Sequence, residues 1–159
     1  MSGLRIDVIA VGKLKEGYWV EACAEYAKRL SRYVTLNISE VPDRAERSSD
    51  DAALVLRTEA AQLRKRIASG SRIIMLDSGG RQFTSEQIAA LLREAQDHAT
   101  RQLSFVIGGS RGIDADLKKE ADLLMSFGAI TLPHNLARVV LLEQLYRAFS
   151  IITATPYHK

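Results

Sequence analysis

Cysteine is almost absent from this chain, because Cys23 is the only one in 159 residues. A single cysteine excludes a disulfide bond within the chain and a zinc site built from several thiolates. Cys23 lies close to Trp19 and Tyr26 in a helical pattern of apolar residues, which favours a small core residue over a reactive thiol. The sequence therefore fits a reducing compartment and predicts no metal site.

Long apolar runs and a strong excess of charge are also lacking. A run such as Val139–Leu142 is far shorter than the roughly 20 residues that cross a bilayer, and the first residues lack the pattern of a secretory signal. We therefore expect a cytoplasmic protein without a membrane partner. The 22 basic and 19 acidic residues give a net charge of only +3, which permits an RNA partner without requiring one. The densest basic run, Arg64–Arg66, lies on a predicted helix, where a solvated face is the commoner role.

Short apolar segments alternate with helical patterns along the chain. The periodicity predicts strands over Leu4–Val11, Val34–Val41, Ile73–Leu76 and Leu103–Ile107. It predicts helices over Glu16–Arg32, Ala52–Ala68, Ser85–His98, Asp116–Asp122 and Leu136–Ile152. This alternation indicates an α/β fold with a mainly parallel sheet and helices on both faces, and the length fits a single domain over residues 1–159.

Three local signals predict where elements begin and end. Gly79–Gly80 follows the third strand and predicts a turn. Thr84 with Gln87 resembles a capping box, and Asn135 resembles the N-cap of the last helix. That last helix is apolar almost all round its axis, which is too much for one face of a surface helix. We expect it either to be central to the core or to be shared with a second subunit.

Two segments are candidates for chemistry. The loop Gly108–Gly112 lies between a strand and a helix, where ligands bind in open α/β sheets, but a plain tight turn explains it equally well. It lacks the glycine pattern of a dinucleotide site, because Ile107 stands where that pattern needs glycine. The chain closes on Pro156–Lys159, which includes an imidazole at His158, although the end of a chain is more often loosely held. His98 has the position of a structural helix end, and His134 could serve a turn or a ligand.

Larger motifs carry a resemblance to a known family. These are the opening from Ile6 to Lys15, the loop Phe105–Gly112, the block from Thr131 to Phe149, and the closing Tyr157–Lys159. Together they are similar to the ribosomal RNA large subunit methyltransferase H family, a group of SPOUT methyltransferases with a knotted α/β fold, and the match spans essentially the whole chain. The resemblance implies a homodimer that uses S-adenosylmethionine to methylate N3 of a pseudouridine in 23S ribosomal RNA within the ribosome.

The resemblance also implies which residues act. The methyl donor is expected in a C-terminal trefoil knot, against largely backbone groups of Leu76, Gly108, Phe127, Gly128, Ala129, Ile130, Thr131 and Leu132. The tail of the family reaches an active site built from both subunits, so Tyr157, His158 and Lys159 become the catalytic candidates, together with Arg138. Pseudouridine N3 must lose a proton before it accepts a methyl group, and an imidazole, with an ordinary pKa of about 6.5, is a suitable base. Tyr157 could stack on the base, while Lys159 or Arg138 could steady negative charge and RNA phosphates.

Three other functions compete with this hypothesis. A non-catalytic RNA-binding or ribosome-associated factor of the same fold would not need the glycine loop or the tail. A nicotinamide-dependent dehydrogenase is disfavoured by the missing fingerprint. A knotted methyltransferase acting on transfer RNA is the third. Arg111 departs from the smaller, acidic or amide side chain that the resemblance leads us to expect, and it could add an RNA contact.

Overall fold

A computed structural model describes residues 3–44, 51–99 and 101–158. Strands and helices alternate through these ranges as the sequence predicts. The elements are β1 (Arg5–Val11), α1 (Gly17–Leu30), β2 (Thr35–Val41), α2 (Ala52–Arg66), β3 (Arg72–Gln82), α3 (Ser85–Gln96), β4 (Gln102–Ile107), α4 (Ala115–Lys118), β5 (Leu123–Ser126) and α5 (His134–Ile152). The sequence pattern had left the short strand β5 unassigned.

The strands form one parallel sheet in the order β2-β1-β4-β3-β5. Near the middle of β1, Val8 is paired with Ile38 of β2 on one side and with Phe105 of β4 on the other. All the carboxyl ends of the strands therefore meet at one edge of the sheet. The α/β class with a parallel sheet is confirmed, and the trefoil knot stays a prediction.

Alternate residues of β1 serve two different cores, because successive side chains of a strand point to opposite faces. Ile6 and Val8 pack in the larger core with α1, α3 and α5. Ile9 and Val11 pack in a smaller core with α2 and α4. Helices thus cover both faces of the sheet, as predicted. Cys23 of α1 is a member of the larger core, and burial raises the pKa of its thiol, which confirms it as a structural residue.

The predicted turn at Gly79–Gly80 is wrong, because β3 continues to Gln82. Its pairing with β5 is interrupted after Leu76 and resumes where Arg81 lies opposite Met125. Glycine at position 80 permits the close approach that this irregular strand needs, since a Cβ there would lie 2.6 Å from the carbonyl carbon of Leu124. A glycine pair here marks close backbone packing and not a reversal of the chain.

The helix α3 begins at Ser85 as predicted but ends at Gln96 and not at His98, and α4 and α5 also differ from their predicted bounds. Thr84 and Gln87 form the predicted capping box, with hydrogen bonds of 3.1 and 2.8 Å between side chain and backbone. The helix α4 is shorter than predicted and ends at Lys118. The helix α5 begins at His134, so Pro133 and not Asn135 occupies its N-cap position.

The apolar helix α5 lies between α1 and α3 and packs against both. Leu142, Leu145 and Ala148 are completely buried, and no residue from His134 to Ile152 is fully exposed. The helix is thus central to the core of one chain, while the dimer interface that the family resemblance implies for it stays a prediction. None of the helices in the described ranges has both the length and the apolar character to cross a membrane.

Candidate active site

A cleft of about 650 Å³ opens at the carboxyl ends of β3, β4 and β5, beside the start of α5. This is the edge at which open α/β sheets bind ligands, because loops leave the strands there and helices begin there. Its size falls within the range of small-molecule sites. The cleft includes seven of the eight residues predicted to bind the methyl donor, namely Leu76, Gly108, Phe127, Gly128, Ile130, Thr131 and Leu132. The eighth, Ala129, is exposed on the same segment but does not line the cleft.

The glycine loop forms one wall of the cleft and is also a tight turn. The N–H of Gly112 donates a hydrogen bond of 3.0 Å to the carbonyl oxygen of Gly109, and Gly112 has a φ of +82°. A Cβ at position 108 would lie 2.5 Å from the carbonyl oxygen of Gly112, closer than real Cβ atoms come. Of the two alternatives that the sequence left open, the tight turn is confirmed, and the ligand cradle stays a prediction at a loop that lines the cleft.

The segment Phe127–Leu132 forms the opposite wall of the cleft, and the side chain of Ser126 stabilises its conformation. The hydroxyl of Ser126 lies 3.1 Å from both the N–H and the carbonyl oxygen of Gly128, and 3.3 Å from the carbonyl oxygen of Ser78. Gly128 has a φ of +112°, a conformation that favours glycine. The side chain of Ser126 thus ties the segment after β5 to the irregular part of β3. Sequence analysis missed this role, since nothing distinguishes a serine at the end of a strand.

An ion pair at the rim of the cleft was also missed. Nζ of Lys118 lies 3.3 Å from Oδ1 of Asp77, and both residues line the cleft. They come from α4 and from the irregular part of β3, 41 positions apart in sequence. Asp77 directly follows an apolar strand, which is a position where polar side chains of α/β sites are often found. Its position after an apolar run could therefore have identified Asp77 as a candidate site residue, but nothing in the sequence links Asp77 to Lys118.

Arg138, a predicted catalytic residue, lies outside the cleft in the interior of the chain. Its guanidinium is 2% exposed, and it pairs with Oε2 of Glu40 at 2.5 Å while donating a 2.9 Å hydrogen bond to the carbonyl oxygen of Gly12. It therefore joins the ends of β1 and β2 to the first turns of α5. In this position the side chain is not accessible to RNA phosphates.

The predicted catalytic Tyr157 folds back against α5. Its hydroxyl donates a 2.8 Å hydrogen bond to Oε2 of Glu143, and its ring meets the ring of Tyr146 edge-on at 4.7 Å. Burial and this hydrogen bond raise the pKa of Tyr157, so the side chain remains a phenol. Burial also acts to raise the pKa of Glu143, but hydrogen bonds from Arg147 and Tyr157 outweigh it and hold that pKa low.

His158 has a partner at each ring nitrogen. Nδ1 lies 3.1 Å from Arg147, and Nε2 lies 2.8 Å from Oε1 of Glu86. A guanidinium only donates hydrogen bonds, so Nδ1 accepts and Nε2 carries the proton that Glu86 receives. Neither nitrogen is then free to accept a proton from a substrate. In this position the imidazole of His158 is bound to α3 and α5 of its own chain.

The described part of the tail does not reach the cleft of its own chain. Neither Tyr157 nor His158 lines it, whereas His134 at the start of α5 does. Lys159, the third predicted catalytic residue of the tail, lies outside the described residues. The structure thus gathers seven of the eight predicted donor residues at one cleft, whereas Arg138, Tyr157 and His158 lie elsewhere.

Comparison with known proteins decides the family. Residues 4–158 match the family model described as predicted SPOUT methyltransferase. The chain belongs to the SPOUT methyltransferases. This SPOUT methyltransferase is 43% identical to a protein of Streptococcus suis and 44% identical to one of Bifidobacterium adolescentis, each over 98% of this chain and 100% of the relative. Both relatives are named ribosomal RNA large subunit methyltransferase H, which confirms the resemblance found in the sequence.

A solved structure shares the fold of this SPOUT methyltransferase. It is a probable methylase family protein from Haemophilus influenzae, with a TM-score of 0.55 over 100% of this chain and 72% of that chain. The two sequences are 15% identical, so the likeness concerns the fold alone.

Proposed function

We propose that this chain is a cytoplasmic enzyme that uses S-adenosylmethionine to methylate N3 of a pseudouridine in 23S ribosomal RNA on the assembled ribosome. The observation that carries the proposal is the full-length identity of 43–44% to proteins named as large-subunit ribosomal RNA methyltransferases. The cleft at the carboxyl edge of the sheet supports it, because the family residues predicted to bind the donor gather there. The rival readings, a non-catalytic factor and a transfer RNA methyltransferase, have no structural observation in their favour.

The cleft has the shape and chemistry that a methyl donor needs. Two glycine-containing segments form its walls, at Gly108–Gly112 and Phe127–Leu132, and the glycines let the backbone of these segments come close to a ligand. Leu76 and Ile107 add apolar surface for an adenine ring. A donor bound here supplies an electrophilic methyl group at a sulfonium centre. The residues of the chain bind it, orient it and exclude water from one side.

The proton on pseudouridine N3 requires a base, and we assign that role to His158. In its own chain both nitrogens of His158 are engaged, and the described part of the tail does not reach the cleft. For His158 to act as the base, at least one of these two contacts must be released, and we propose that the tail then serves the cleft of a second copy in a homodimer. Tyr157, held as a phenol, can donate a hydrogen bond to the base or stack on it. Lys159 is assigned to RNA phosphates, and Arg138 to positioning α5 behind the cleft.

The substrate is tested by mass mapping of 23S ribosomal RNA from cells with and without the protein. We expect one methyl group to be lost from a pseudouridine in the deleted strain and to return with the wild-type protein. Complementation with the His158→Ala variant serves as the control for catalysis. A methyl group lost from transfer RNA would favour the transfer RNA enzyme, and unchanged RNA in both pools would favour the non-catalytic factor.

The donor and the assembly are tested on the purified protein. Calorimetry should show binding of S-adenosylmethionine and of its demethylated product, with no heat from NAD. Light scattering at micromolar concentration should give the mass of two chains. Binding of NAD alone, or a monomeric mass, would contradict the corresponding part of the proposal.

A further inference from the structure

A buried carboxyl group lies directly behind the glycine wall of the cleft. Glu59 of α2 is 3% exposed, and its Oε2 is buried without a hydrogen-bond partner among the described residues. A Cβ built on Gly109 would lie 3.6 Å from both Oε1 and Oε2 of Glu59, and Gly109 lines the cleft. Only the backbone of one glycine therefore separates this carboxyl from the ligand space.

The charged groups around Glu59 come from two neighbouring elements. Asp43, just after β2, opposes its ionisation and shares a hydrogen bond with it, while the backbone N–H of Arg44 and the charge of Arg111 favour ionisation. From β1 the neighbouring side chain is apolar, since Val11 lies against the same face of Gly109. Burial is the largest influence and raises the pKa of Glu59 to about 7. The group is therefore divided between its two protonation states at neutral pH.

His134 is the other titratable group nearby. Its Nε2 and Cβ of Asp43 lie 3.1 and 3.8 Å from the position of a Cβ on Gly12, so His134 and Asp43 contact the same turn. His134 lines the cleft, whereas Asp43 does not. An experiment on Glu59 must therefore separate its proton from one held by His134.

An unpaired oxygen on a buried carboxyl is unusual, because buried polar groups are nearly always hydrogen-bonded and an unsatisfied one costs stability. A purely structural glutamate on α2 would be expected to satisfy both oxygens or to reach solvent. Ionisable groups kept at such a cost occur mainly beside functional sites, where their charge acts on a ligand. The position behind Gly109 provides such a ligand space.

We propose that Glu59 distinguishes the methyl donor from the demethylated product by charge: its carboxylate stabilises the cationic sulfonium through the backbone of Gly109, and an uncharged sulfide receives no such stabilisation. The inference rests on the proposed function, because it requires the donor to occupy this cleft. Glu59 does not touch the reacting atoms, so it is a specificity-determining residue and not a catalytic one.

Donor binding and ionisation of Glu59 are coupled, and this coupling determines whether donor affinity rises or falls with pH. A cation in the cleft favours the ionised carboxyl, so binding of the donor drives a proton from Glu59 into the buffer. Donor affinity then rises with pH through neutrality, by about threefold to tenfold for a charge pair separated by one backbone layer at a partly solvated site. Affinity for the sulfide product changes much less. The ratio of the two affinities is therefore predicted to increase with pH.

The test is calorimetric titration of the full chain near pH 7 in two buffers of different ionisation enthalpy, which counts the protons released. S-adenosylmethionine and its demethylated product are the two ligands. Wild-type protein should release about a third of a proton more with the donor than with the product, as expected for a half-ionised group whose pKa falls on binding. Glu59→Gln should abolish that difference, while the exposed Glu21→Gln, the matched control on α1, should retain it.

A second measurement keeps the test independent of how well Glu59→Gln folds. Asp43→Asn removes the negative charge of Asp43, which together with burial raises the pKa of Glu59. The excess proton release should therefore shift to lower pH. Equal proton release by wild type and Glu59→Gln, or an unshifted profile in Asp43→Asn, would overturn the inference and point to His134. No binding heat with either ligand in wild-type protein would instead contradict the proposed function.

Discussion

Nε2 of His158 lies 2.8 Å from Oε1 of Glu86, which ties the end of the described chain to the first turn of α3. The end of a chain is usually loosely held, and position alone predicts the same for this one. Here Tyr157 and His158 contact α3 and α5 through hydrogen bonds and an aromatic pair, so a loosely held end is wrong for these two residues. Removal of the tail should therefore cost some stability as well as activity.

His158→Ala should reduce single-turnover methylation of ribosomes by about a hundred- to ten-thousand-fold at neutral pH, the usual contribution of a general base. Donor affinity should be nearly unchanged, because a general base acts on the proton of the RNA and not on the bound sulfonium. The rate should recover partly at higher pH, where the imide loses its proton unaided. Glu86→Gln keeps the imidazole and removes only the charge of its docking partner, so it should retain most of the activity. A wild-type rate from His158→Ala would exclude it as the base.

Gly108→Ala should weaken donor binding by more than about tenfold. The new methyl group meets the carbonyl of Gly112 at 2.5 Å, so the glycine wall must move. Gly17→Ala is the matched control, because nothing lies within 4 Å of a Cβ at that position. Calorimetry measures the affinity, and circular dichroism checks that both variants are folded. Equal affinities in the two variants would mean that the loop is only a turn.

Arg138→Met should lower the free energy of unfolding by about 2–3 kcal/mol, because it leaves Glu40 and the carbonyl of Gly12 without their partner. Arg64→Met breaks the exposed pair with Glu120 and should cost less than about 1 kcal/mol. Urea denaturation measures both. The salt dependence of ribosome binding should not change in Arg138→Met, since a buried guanidinium contacts no phosphate. A shallower salt dependence of ribosome binding in Arg138→Met would instead support the predicted contact between Arg138 and RNA.

Stability should fall as pH rises through the range in which Glu59 is protonated only in the folded chain. The folded pKa of about 7 exceeds the ordinary value of 4.5, so the unfolded chain loses this proton first and is favoured between these two values. Above pH 7 the loss is complete. Glu59→Gln cannot ionise and should therefore be more stable than wild type at pH 8, by about 3 kcal/mol, and within about 1 kcal/mol of it at pH 5. Urea denaturation at pH 5 and pH 8 measures the free energy of unfolding of both proteins. The same difference between them at both pH values would contradict this prediction.

The sequence by itself determined the α/β class, the parallel sheet and most helix boundaries. These follow from period-two and helical patterns of apolar residues, which act over a few positions and can be read locally, as in β1 and at the capping box of Thr84. The family motifs also indicated residues that line the cleft, namely Gly108 and, except for Ala129, the segment Phe127–Leu132. Prediction failed at Gly80, where the reason for glycine is a carbonyl that belongs to β5.

Only the tertiary structure decided which distant groups meet. Arg138 and Glu40 are 98 positions apart, and His158 and Glu86 are 72 apart, so no local pattern links either pair. The position of Glu59 behind Gly109 is of the same kind, because on α2 it is one polar residue among many. Charge and burial depend on what the rest of the chain places around a group, and the strand order of the sheet determines that environment.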